Sequence, residues 1–189
     1  NTEQYLAMRA QAFQNDGITT YPATAYDING TWDQNRYTDW QKVLLGGTAE
    51  ITEAYASIAG GSAQTQYVLS GNFNKQTTVF PGNFNYKKGN VFLNINHQSE
   101  DNRFRSAATV GYTIQDNNQP ATDLTIDAVR LSPNAPALYD ENGNLNWENN
   151  TFSNPLRKLN GVFLGKTYDF IANTVLSYQV TRQLTAKSN

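Results

Sequence analysis

The side chains that could perform acid–base or metal chemistry are few in this sequence, and their spacing brings no catalytic set together. His97 is the only histidine and stands beside a polar turn, so neither a Ser-His-Asp triad nor a histidine-rich metal site can be assembled around it. Two carboxylate pairs, Glu100 with Asp101 and Asp140 with Glu141, are sequence neighbours, whereas glycosidases hold two carboxyls about 5 to 9.5 Å apart across a substrate. We therefore predict that the protein is not an enzyme and uses no metal or cofactor.

A weak metal-binding pattern occurs in the segment 137–150, which reads ALYDENGNLNWENN. Asp140, Asn142 and Asn144 alternate as in a calcium loop, but the sixth position is not Gly and the twelfth is not Glu. A tight hairpin around Asn142 and Gly143 is the better interpretation.

The same segment combines aromatic rings with side-chain amides, a composition typical of surfaces that contact sugars. The candidate ligand-binding residues are Tyr139, Asn142, Asn144, Trp147 and Phe152. The alternative is that these rings fill a small core, because a connection of about 50 residues needs packing of its own.

Charge and composition exclude several classes of function. The formal net charge is −2 with only 16% charged residues, which gives no basic surface for nucleic acid. Cysteine is absent, so disulfides and thiolate sites are excluded, although the compartment is not fixed. No window approaches the roughly 20 apolar residues of a membrane-spanning helix, and residues 1–10 do not have the pattern of a signal peptide.

Alternating apolar and polar residues predict a chain made mainly of strands. We expect one short helix at 3–13, a short amphipathic turn at 38–47, and strands that exceed the usual 5 to 6 residues. The predicted strands are 48–59, 65–77, 85–98, 103–115 and 166–181, with another beginning near 183. Each is close to or above the 9 to 11 residues that a tilted membrane strand needs.

The connections between these strands alternate in length. Segments 60–64, 99–102 and 181–183 are short and polar, whereas 78–84 and 116–165 are longer. Short turns at one end and long loops at the other are typical of outer-membrane barrels.

Each strand also has one apolar face and one polar face, which predicts consecutive antiparallel pairing of 65–77, 85–98 and 103–115. One surface of the sheet should carry Tyr67, Leu69, Phe73, Val91, Leu93, Ile95, Val110 and Tyr112, and the other should carry Ser70, Asn72, Asn94, Asn96, Thr109 and Thr113. Aromatic residues near strand ends fit an interfacial girdle. A soluble sheet that buries its apolar face explains the same alternation, so the pattern alone leaves both interpretations open.

Four stretches of the chain carry a family resemblance: YTDWQKVLLGG (37–47), SIAGGSAQTQYVLSGNF (57–73), NYKKGNVFLNINHQ (85–98) and APALYDENGNLNWENNTFSNPL (135–156). Together they resemble the SusC/RagA family of TonB-linked outer-membrane proteins. In that family a descending strand ends in a Ser, apolar, small, Gly, Gly turn, here 57–61, and a Thr-x-Tyr begins the next strand, here Thr65 and Tyr67. The helical segment EQYLAMRAQAFQNDG (3–17) is similar to one that precedes these strands in many members.

The resemblance implies an all-β antiparallel meander that forms part of a transmembrane β-barrel in the bacterial outer membrane. The parent would import glycans or peptides, with a SusD-like surface lipoprotein as lid and TonB as the energy source. No plug domain or TonB box is visible, so we expect an internal fragment of the barrel. Residues 1–47 and 116–165 would be extracellular loops, and 48–115 and 166–189 would be barrel wall. The alternative is a soluble β-sandwich module that binds carbohydrate or a cell surface.

Overall fold

The structure is a computed structural model that describes residues 1–189, and the chain divides into two compact units. We call residues 1–48, 78–84 and 120–163 the loop unit, and residues 49–77, 85–119 and 164–189 the sheet unit. Each unit is described by itself below.

The sheet unit is built on one six-stranded antiparallel meander whose strands are adjacent in chain order. The strands are β1 (Ile51–Gly61), β2 (Thr65–Thr77), β3 (Asn85–Gln98), β4 (Phe104–Pro120), β5 (Val162–Gln179) and β6 (Thr185–Ser188). The sheet is open, with β1 and β6 as its two edges. This confirms the predicted β-rich meander and the antiparallel pairing of β2, β3 and β4.

Short connections link β1 to β2, β3 to β4 and β5 to β6, and polar side chains satisfy their backbone groups. In the first, the Ser62 hydroxyl accepts hydrogen bonds from the backbone N–H groups of Gln64 and Thr65, at 3.3 and 3.1 Å. Gly61 opens this turn with φ +143°, and a Cβ there would collide with the Thr65 carbonyl. In the second, the Ser99 hydroxyl accepts from the N–H of Phe104 at 2.9 Å.

Several strand boundaries differ from the sequence-based prediction, and β1 spans Ile51–Gly61 instead of 48–59. β4 continues to Pro120, five residues beyond the predicted end, because its polar residues 115–118 pair with 85–88 of β3. Asn, Asp and Gln have low strand propensity, so the sequence pattern alone ends the strand too early. β5 begins at Val162 instead of 166 and ends at Gln179.

The loop unit carries the helices, which are more numerous than the one predicted. They are α1 (Thr2–Asn15), α2 (Trp40–Leu45) and α3 (Thr125–Arg130), with 3₁₀ turns at Glu148–Asn150 and Pro155–Asn160. α2 occupies the predicted amphipathic turn and is capped by Asp39, whose carboxylate accepts from the Lys42 N–H at 3.1 Å. Every helix is too short or too polar to cross a membrane.

The buried hydrophobic core lies in the loop unit. Leu44 and Leu124 are fully buried, and the other buried members of the cluster are Trp40, Ala128, Ala135, Phe152 and Leu156. The Trp40 indole N–H donates to the Ser132 carbonyl at 2.8 Å, which satisfies its one polar group inside the core.

Candidate functional site

The apolar face of the sheet is continuous across β1 to β4. The strand registers align four rows of four residues: Gly60, Tyr67, Ile95, Ala108; Ile58, Leu69, Leu93, Val110; Ala56, Gly71, Val91, Tyr112; and Ala54, Phe73, Gly89, Ile114. We call these sixteen positions the apolar band. None carries a charge, and the eight residues predicted for this face all lie in the band.

Polar rows border the apolar band at both of its ends. On the side of the short turns, Thr65, His97 and Ser106 lie side by side, and the Thr65 hydroxyl and His97 Nδ1 are 2.8 Å apart. On the other side the bordering row is Thr52, Lys75, Lys87 and Asp116.

The depth between the two polar rows, which enclose the apolar band, follows from the number of residues that separate them. Lys87 and His97 both lie in β3 and border the band at its two ends. At about 3.4 Å per residue they are roughly 34 Å apart along the strand. A strand tilted by about 40° then covers about 26 Å of depth, close to the roughly 25 Å apolar height of outer-membrane barrels.

No side chain of the sheet is buried. Most large apolar side chains of the band are exposed by 37% (Val110) to 59% (Ile58), whereas Leu93 and Ile95 are half-buried, and the only buried residue of the six strands is Gly111. A band of this size exposed to water is unusual, because soluble monomers seldom expose apolar patches larger than a few hundred Å².

The opposite face of the sheet is rich in amides and hydroxyls. The predicted set Ser70, Asn72, Asn94, Asn96, Thr109 and Thr113 lies here, which confirms the predicted faces. The Asn94 amide donates to the Thr109 hydroxyl at 3.0 Å and accepts from the Asn96 amide at 2.9 Å. Apolar exceptions on this face are Tyr55, Val68 and Phe92, and the Phe92 ring covers the paired Gly111.

In the loop unit, the hairpin predicted around Asn142 and Gly143 is present. Tyr139 and Leu145 form its closing bridge, and Gly143 has φ +80°. The Asp140 carboxylate accepts from the N–H groups of Asn142 and Asn144 at 2.9 and 2.8 Å, so it organises the turn. No three acidic or histidine side chains come together here as they would around a metal ion.

The five candidate ligand-binding residues have different environments. Tyr139 and Trp147 expose 54% and 42% of their surface, and Asn142 and Asn144 lie in the exposed turn of the hairpin. Phe152 is only 3% exposed and packs edge-on against Trp32, with ring centroids 6.1 Å apart. The structure therefore leaves two aromatic rings of the set at the surface and places the third in the core.

A left-handed turn follows Trp147. Glu148, Asn149 and Asn150 all have positive φ, from 44° to 66°, a conformation that costs roughly 1 to 2 kcal/mol for an ordinary residue and less for Asn. The turn is held by the Asn146 amide, which donates to the Glu148 carboxylate at 3.0 Å, and by the Thr151 hydroxyl, which donates to the Glu148 carbonyl at 2.6 Å.

A buried polar cluster that the sequence analysis did not identify centres on Asp27. Its carboxylate accepts from the Tyr5 hydroxyl at 2.7 Å and from Arg9 Nε at 2.8 Å. Burial, aided by the bond to Asp27, raises the pKa of Tyr5 to about 12. Burial opposes ionisation of Asp27, but the bonds from Arg9 and Tyr5 outweigh it and lower the pKa of that carboxyl. No local signal could reveal this cluster, since its members are far apart in sequence.

Comparison with models of known protein families gave no match, and comparison with curated proteins gave none either.

Proposed function

We propose that this chain is a wall-and-loop segment of a TonB-dependent outer-membrane transporter of the SusC/RagA type. The apolar band faces lipid, the amide-rich face lines the interior, and the loop unit lies on the extracellular side. The observation that carries the proposal is the band itself, which is sixteen uncharged positions bordered by polar rows about 26 Å apart in depth.

The open edges of the sheet support the same proposal. β1 and β6 each leave a row of backbone donors and acceptors without a strand partner on one side. In a closed barrel, neighbouring strands of the parent chain saturate these groups. The parent protein would import glycans or peptides, with TonB as the energy source and a SusD-like lipoprotein as the lid. This segment would contribute part of the barrel wall and of the extracellular loops.

A soluble β-sandwich that binds carbohydrate is the competing interpretation. A sandwich buries the apolar face of one sheet against a second sheet. This chain contains one sheet, and most large side chains of the apolar band remain exposed while none is buried. That exposure favours the lipid-facing proposal.

Detergent dependence tests the membrane assignment. The full 189-residue chain is compared by light scattering and vesicle flotation in plain buffer, in detergent micelles and with lipid vesicles. We expect association through the apolar band in plain buffer, dispersion in detergent, and flotation with vesicles. A dispersed monomer in plain buffer that does not bind vesicles would contradict the proposal.

The proposal also assigns Tyr139 and Trp147 to contact with the imported ligand, because their exposed rings lie at the base of an amide-rich hairpin. Substitution of either ring by Ala should weaken binding of an oligosaccharide or peptide ligand. Tyr37, which is 59% exposed in the same unit, provides the control substitution. Equal effects at all three positions would contradict this assignment.

A further inference from the structure

Helix α1 lies against the rest of the loop unit through one narrow stripe. Its buried or half-buried positions are Thr2, Tyr5, Leu6, Arg9, Ala10 and Phe13, which recur at helical spacing, and only Thr2 is fully buried. Met8, on the outer side, is 65% exposed. No residue of α1 belongs to the buried core cluster, so α1 contributes little of the apolar burial that stabilises the unit.

Polar contacts to one carboxylate take the place of a hydrophobic interface. Asp27 is 8% exposed, and its Oδ2 accepts from both Tyr5 and Arg9, which are one helical turn apart. Hydrogen bonds to an ionised group are stronger than neutral ones. Tyr5 and Arg9 therefore anchor the middle of α1 to one acceptor atom, Asp27 Oδ2.

The receiving side of this attachment is fixed independently of α1. The Asp27 carbonyl accepts from the Asn134 amide at 2.8 Å and from the Gln34 amide at 3.0 Å. Asn134 is fully buried beside Ala135, a member of the core cluster. Because neither bond to the Asp27 carbonyl comes from α1, we expect Asp27 to keep its position when α1 detaches from it.

Few other contacts hold α1. The Thr2 hydroxyl donates to the Arg36 carbonyl at 2.5 Å, and the rings of Phe13 and Tyr21 are 5.3 Å apart. Both partners lie in the irregular segment 18–37, and neither belongs to the core. The Tyr5 side chain also interacts with the side chain of Ser132, which follows α3 in the chain.

We infer that α1 is a strap that opens as a unit from the segment 18–37, with Asp27 as its latch, while the core of the loop unit stays folded. Local opening of weakly packed elements well below the cost of global unfolding is common.

Hydrogen exchange with mass spectrometry on the full chain in detergent micelles tests this inference without reference to transport. In the unmodified chain, amides of α1 should exchange at least about tenfold faster than those of α2 and α3. Asp27→Ala should accelerate α1 by a further tenfold or more and leave α2 and α3 unchanged. Asp33→Ala is the control, because Asp33 is exposed in the same segment and accepts only a local bond from the Asn35 N–H.

Tyr5→Phe provides a second, milder variant should Asp27→Ala fail to fold. It removes one hydroxyl and keeps the Arg9–Asp27 pair, so α1 exchange should rise by a smaller factor, with the core again unaffected. Two results would overturn the inference. One is acceleration of α1, α2 and α3 by the same factor, and the other is no change in α1 in either variant.

Discussion

A charge placed at the centre of the apolar band should prevent membrane association, whereas the same charge one residue away should not. Leu93 lies four residues from His97 and six from Lys87 on the same strand, so it is about 10 Å and about 16 Å in depth from the two polar rows at a tilt of about 40°. It is therefore within about 3 Å of the middle of the band. Asn94, its neighbour, projects to the opposite, amide-rich face.

The magnitude follows from this depth. Arg at the lipid-facing midplane of a barrel costs about 2 to 4 kcal/mol, so Leu93→Arg should weaken binding to lipid vesicles by about 30- to 700-fold at 1.4 kcal/mol per decade. Asn94→Arg should change the free energy of binding by less than about 0.5 kcal/mol. Vesicle titration, with the bound fraction measured by co-flotation of the chain with the vesicles, compares both variants. Equal losses in the two variants, or loss in Asn94→Arg alone, would refute the face assignment.

Three further predictions concern the core, a turn and pH. Phe152→Ala should destabilise the loop unit by about 3 to 5 kcal/mol in urea titrations, because the ring is buried. Trp147→Ala, at an exposed position, should cost less than about 1 kcal/mol. Similar losses of stability in the two variants would contradict the placement of Phe152 in the core and Trp147 at the surface. In thermal unfolding, Gly61→Ala should destabilise the sheet by more than about 1 kcal/mol, since φ is +143° and a Cβ at this position would collide with backbone atoms. Gly89→Ala, which has open space around the added Cβ, should be neutral or mildly stabilising in the same assay. The contribution of Asp27 to docking of α1 should be complete above its unfolded pKa of about 3.9 and lost as the pH falls through its lower folded pKa; an Asp27→Ala variant whose protease protection of α1 falls with pH as in the unmodified chain would argue against it.

The strands of the sheet could be predicted well because their signal is local. The predicted bounds of β2 and β3, 65–77 and 85–98, agree with the structure, since apolar and polar residues alternate along most of both segments, with Val68 and Phe92 as exceptions. The same alternation fixed the two faces, because a shift by one residue would exchange every side chain between them.

Elements that depend on distant contacts were not predicted. α3 has only six residues, and its N-cap position is Leu124, which offers no capping side chain. The bonds from Tyr5 and Arg9 to Asp27 join residues 22 and 18 positions apart. Only the fold brings them together.

The candidate ligand-binding set shows the same limit for burial. Tyr139, Trp147 and Phe152 all stand among Asn residues in the sequence, yet only Phe152 enters the core. Its neighbour Trp32 lies about 120 positions earlier, and the Trp32 indole donates to the Thr151 hydroxyl at 2.9 Å. Composition identified a region rich in aromatic rings and side-chain amides. It could not distinguish Tyr139 and Trp147, which lie at the surface, from Phe152, which packs in the core.

Site-directed fluorescence along β3 tests the central claim most directly. The chain contains no cysteine, so single cysteines at 89–96 can each carry an environment-sensitive dye without removal of native thiols. In lipid vesicles, quenching by spin-labelled acyl chains should alternate with a period of two, strong at the odd positions 89, 91, 93 and 95 and weak at the even ones. Quenching that is uniform, strongest at the even positions, or absent would contradict a lipid-facing apolar band.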